Sequence, residues 1–158
     1  MELLDTVILF VHLLSAVLFI GGSFFLWLVV MPLSRQLAPD EAARTVLVGK
    51  IARGFAKWSN ATLLLLVVTG LYNASWYLAG ASPLARELLE IKVALVGVLV
   101  LGIYAHGLYY GRKISRLAKA GDVQGLQAVR KRSRPISYLN LALMVAILVV
   151  VALMQTMS

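Results

Sequence analysis

Four long runs of this chain contain no charged residue: Thr6–Met31, Trp58–Gly80, Val93–Tyr110 and Ile136–Met154. A helix needs about 20 apolar residues to cross the ~30 Å hydrocarbon layer of a bilayer, and each run approaches or exceeds that length. Buried helices of a water-soluble domain are shorter and keep a polar face. The sequence therefore reads as all-α, an integral membrane four-helix bundle with spans at about 6–31, 58–80, 88–110 and 136–154. A chain of 158 residues has space for this single transmembrane domain and no separate soluble one.

Charge sets the orientation. Thirteen of the fifteen Lys and Arg residues lie in two segments, Arg35–Lys57 and Arg112–Arg134. With four crossings both segments share one face, and Arg86 and Lys92 are the only bases toward the other. Short loops rich in Lys and Arg stay cytoplasmic, so both termini are expected in the periplasm. The expected location is the inner membrane of a bacterium or archaeon. The net charge of +8 is then a topology signal, with lipid and not nucleic acid as the partner. The acidic start Met1-Glu2-Leu3-Leu4-Asp5 differs from a basic signal peptide, so the first run reads as a retained helix. Cysteine is absent, which excludes disulfides, thiolate metal sites and thiol redox chemistry.

The basic segments have order of their own. Pro39-Asp40-Glu41 marks a helix start, and Leu47, Ile51, Phe55 and Trp58 follow at helical spacing. This predicts an amphipathic helix on the cytoplasmic surface that runs into the second span. The second segment should break at Ala120-Gly121-Asp122 and form a short helix through Arg130, with Pro135 in the first turn of the fourth span. Trp27, Trp58, Trp76, Tyr77, Tyr109 and Tyr110 fall near run ends, as in an aromatic belt.

Polar residues inside spans are costly in lipid and mark function. The first span aligns Asp5, His12, Ser15 and Ser23; the second aligns Thr62, Thr69, Asn73 and Trp76. The third carries Lys92, Gly102 and His106, and the fourth Ser137, Asn140 and Met144. Each stripe should face a common interior. Ser and Thr at such positions usually bond their own helix, Asn73 and Asn140 suit interhelical contacts, and Lys92 can reach the outer interface. His12 and His106 are the only histidines, and neutral imidazole is both a ligand and a proton carrier. On ideal helices His12 lies about 12 Å in from the outer end and Lys92 about 6 Å, whereas His106 sits about 15 Å below His12. One flat ring could meet His12 and Lys92, and not His12 and His106.

The stretch Val11-His12-Leu13-Leu14-Ser15-Ala16-Val17-Leu18-Phe19-Ile20-Gly21-Gly22, ending at Met31-Pro32, resembles the first helix of the CopD-type and HemJ-type membrane superfamily. Thr69-Gly70-Leu71-Tyr72 and Leu88-Leu89-Glu90-Ile91-Lys92, leading to His106, resemble its second and third helices. The HemJ-type branch implies a haem-b-containing protoporphyrinogen IX oxidase, with functional His and Lys positions that match His12 and Lys92. His12 would be an axial ligand, and Lys92 a second ligand or, with Arg86, a propionate anchor. His106, Ser15 and Asn73 are further cofactor-binding candidates, and quinone or porphyrin the small-molecule partner. The CopD-type branch implies copper transport, stepping through His12, Met144 and His106. A third reading is an accessory subunit of a membrane complex. A homodimer or a larger assembly fits so small a bundle.

Overall fold

The protein is described by a computed structural model that covers residues 3–38 and 40–156, without the side chains of Ala42 and Trp76. The helix start expected at Pro39, the Met1-Glu2 pair and the Trp76 side chain lie outside the described residues. Four helices follow one another: α1 Leu3–Leu37, α2 Glu41–Gly80, α3 Pro83–Ala120 and α4 Val123–Thr156. All four are long and apolar enough to cross a membrane, and no strand occurs among the described residues. This is a multi-pass membrane protein.

Local chemistry sets the breaks. Asp40 is extended and its side chain accepts a 2.8 Å bond from the Ala43 amide, capping α2. Ser82 caps α3 in the same way, with Pro83 in the first turn, where its missing N–H costs nothing. Gly121 ends α3 at φ 70°, a left-handed conformation that favours glycine. Asp122 then accepts from the Gly125 amide and opens α4.

The basic segments are not loops. The segment expected to lie flat on the membrane is the first part of α2, an unbroken helix of 40 residues, about 60 Å long at 1.5 Å per residue. It packs against other helices. Arg130 donates to Glu41, and also to Thr45 Oγ1 at 2.7 Å. Arg44 donates to Ser34 Oγ at 3.3 Å and to Glu41 at 3.1 Å. These bonds join the end of α1 to the starts of α2 and α4. The expected short helix through Arg130 and the fourth span are likewise one helix, so Pro135 stands inside α4 and not at its start. Its ring removes one backbone donor. The Ser133 and Ser137 hydroxyls donate to the Arg130 and Ser133 carbonyls on either side.

Two antiparallel pairs make the bundle. Along α1 and α2, Asp5 meets Tyr72, His12 meets Thr69, and Gly22 meets the Phe55 ring. Along α3 and α4, Leu88 and Leu89 pack with Val150 and Met154, Gly102 meets Asn140, and His106 meets Ser137. Phe19, Leu63, Leu99, Met144 and Ile147 join the pairs in a central core. The outward faces are apolar, with Leu101 72 % exposed, as suits a surface solvated by lipid. The π-helical turns Leu26–Val30 in α1 and His106–Gly111 in α3 are departures that the hydrophobic pattern does not reveal.

Candidate functional site

Asp5, Ser15, Thr62 and Thr69 are buried, so the polar stripes of α1 and α2 turn inward. The hydroxyls behave as span hydroxyls usually do. Ser23 donates to the Phe19 carbonyl, Thr62 to the Trp58 and Ser59 carbonyls, and Thr69 to the Leu65 carbonyl at 2.5 Å.

The Thr69 bond has a consequence for His12. His12 Nδ1 lies 2.9 Å from Thr69 Oγ1. A threonine hydroxyl has one proton, and here it goes to Leu65. Thr69 Oγ1 must therefore accept, and His12 Nδ1 must carry the hydrogen. In the neutral ring of that tautomer Nε2 carries the lone pair. Gly70 completes the setting: a Cβ there would stand 3.1 Å from His12 Cε1. Ser15, one turn along α1, is 3 % exposed.

Lys92, half-buried on α3, forms no ion pair among the described residues. Asn73 follows Thr69 by one turn on α2, and Tyr77 follows Asn73 by another. Tyr77 packs against the cluster of Leu88, Leu89, Val150 and Met154. Asn73 Nδ2 and the Tyr77 hydroxyl are both buried without a hydrogen-bond partner. Each such group costs about 1–3 kcal/mol. Tyr77 thus faces the bundle and does not belong to an aromatic belt. Arg86 is exposed at the rim, with Nη2 3.4 Å from the Leu78 carbonyl at the end of α2.

His106 belongs to a different place. It opens the π-helical turn of α3 and lines a cavity of about 460 Å³ bounded by all four helices. Phe19, Trp27, Phe55, Tyr104 and Asn140 share the wall with it. Ser137 Oγ stands 3.4 Å from His106 Nε2. Met144 also borders this cavity but is 3 % exposed, packed in the apolar core with Phe19 and Leu99. No group of three or more His, Cys, Asp or Glu residues that could hold a metal forms among the described residues.

The structure thus sets His12 with Thr69 and Gly70, and His106 with Ser137, Asn140 and Met144. Sequence reasoning missed Tyr77, Gly70 and the cavity wall at Trp27 and Phe55. The i, i+4 relation of Asn73 and Tyr77 was the available signal for Tyr77. Comparison of the chain with protein-family models, with curated proteins and with solved structures gives no match.

Proposed function

We propose that this protein is a haem-b-binding membrane redox protein with His12 as the iron ligand. The supporting observation is the Thr69 bond, which orients the imidazole and leaves the lone pair on Nε2. Metal-bound histidines usually donate their other nitrogen to a fixed acceptor in this way. The neighbouring donors fit the rest of the group. Lys92 serves as a second ligand or as the partner of a propionate, and Asn73 Nδ2 and the Tyr77 hydroxyl suit carboxylate oxygens. Arg86 stands further out, at the rim. When bound, the haem supplies one-electron redox chemistry. The chain's own residues hold it, orient it and balance its charge. Oxidation of a porphyrinogen, with electrons passing to quinone, is the activity this reading implies.

The basic helix ends are assigned to the cytoplasm and both termini to the periplasm, within a bacterial or archaeal inner membrane. Haem and metal analysis of the purified protein tests the assignment. Stoichiometric b-type haem is expected, most of it lost in His12→Ala and retained in His106→Ala. Copper in place of iron would favour transport through His106 and Met144. A colourless, metal-free protein after haem supplementation would leave the accessory-subunit reading.

A further inference from the structure

We infer that the groove between the end of α3 and the start of α4 binds the phosphate headgroup of an anionic lipid. It is separate from the haem reading, and its test needs no haem.

Helical spacing builds the groove. Both helices continue beyond the apolar runs, which end at Tyr110 and begin again at Ile136. Lys113 and Leu117 fall one turn apart on α3, and Gly125, Val129 and Arg132 at intervals of four and three on α4. Each set therefore shares a face. With Ala128 these residues line a cavity of about 220 Å³. Leu117 and the buried Val129 give it an apolar wall, and the small Gly125 and Ala128 leave it open. Pockets that enclose a whole small molecule measure about 300–1,000 Å³. This one suits a headgroup whose tails stay outside.

Charge then selects an anion. Lys113 and Arg132 are exposed, line the cavity, and form no ion pair among the described residues. Segments 35–57 and 112–134 hold thirteen bases and three acids, Asp40, Glu41 and Asp122. Each acid is occupied. Asp40 accepts from the Ala43 amide, Glu41 from Arg44 and Arg130, and Asp122 from the Gly125 amide. Asp122 also stands ten residues before Arg132, about 15 Å along the helix. An arginine fork and an ammonium on one cavity match the oxygens of a phosphate.

Depth selects the lipid. A hydrocarbon core of ~30 Å within a bilayer of ~40–45 Å leaves a headgroup layer of about 5–7 Å on each side. Lys113 lies three residues past Tyr110, about 4.5 Å, and Arg132 four residues before Ile136, about 6 Å. Both bases reach that layer. Lys113 Nζ lies 6.0 Å from the centroid of the exposed Tyr109 ring, one turn toward the membrane. Its charge is thus turned to the interface. An acidic protein partner would instead engage bases farther out, such as Arg116 and Lys119.

Native mass spectrometry of the whole protein released from detergent gives the test. Titration with dioleoylphosphatidylglycerol should fill one site before any other. Lys113→Gln combined with Arg132→Gln should weaken that first binding by about tenfold or more. Lys50→Gln combined with Arg53→Gln removes the same charge from the same end, outside the cavity, and should leave it near the wild type. Arg132→Lys, which keeps the charge and loses the fork, should fall between. All four side chains are exposed, so melting temperatures without lipid should match the wild type. Equal weakening in the two double variants would show diffuse attraction and overturn the site. Dioleoylphosphatidylcholine binding as tightly, or displacement of the lipid by excess inorganic phosphate, would also overturn the proposal.

Discussion

His12 Nδ1 and Thr69 Oγ1 are 2.9 Å apart, and the only hydroxyl proton of Thr69 is committed to the Leu65 carbonyl. The histidine therefore donates through Nδ1, and in the neutral ring Nε2 carries the lone pair. Thr69→Val removes the acceptor while nearly keeping the shape. Loss of such an outer contact typically weakens metal binding about 10–100-fold. The haem dissociation constant of Thr69→Val should rise within that range, and Thr69→Ser should stay near the wild type. Equal affinities in Thr69→Val and wild type would remove the role assigned to this pair.

Gly70 leaves the space that the imidazole fills. A Cβ at 3.1 Å from His12 Cε1 forces a small displacement, and a branched side chain forces a large one. Overpacking of this kind costs about 1–3 kcal/mol. Gly70→Val should lower the melting temperature and shift the haem spectrum, whereas Gly97→Val, at a position with open space around it, should leave the spectrum unchanged.

Arg130 joins the start of α4 to Glu41 and Thr45 on α2. The pair is partly exposed, so screening reduces its worth. Arg130→Met should destabilise the protein by about 1–2 kcal/mol, read from unfolding in mild detergent. The haem spectrum should not change, since this contact lies at the opposite end of the bundle from His12.

The same basic end carries the proposed orientation. A reporter active only in the periplasm, fused after Ser158, should be active, and the same reporter inserted at Gly121 should be silent. The reverse pattern would invert the topology and put the His12 centre near the cytoplasm.

The four spans were legible because charge is absent from long runs and cannot be hidden in lipid. The inward stripes of α1 and α2 were legible from helical spacing. The continuity of α2 was legible too, since its amphipathic start was expected to run into the second span; that of α4 was not. The bonds of Glu41 and Thr45 to Arg130, far away in sequence, were not legible either. Pro135 reads as a helix start, yet α4 passes through it. The expected depth difference separated His12 from His106 on ideal helices, and the two occupy distinct settings. Which residues meet each histidine depends on the register between helices. No single-helix period contains that register, so Thr69 and Gly70 as the setting of His12, and Tyr77 as a donor, emerged only from packing.

Chemical rescue tests the central claim most directly. His12→Gly removes the imidazole and leaves a gap beside Thr69. Purified His12→Gly should lack the wild-type Soret band when supplied with haem, and added imidazole should restore it in a saturable manner. An unchanged band in His12→Gly without imidazole would contradict the account, because the iron would then be held by another residue.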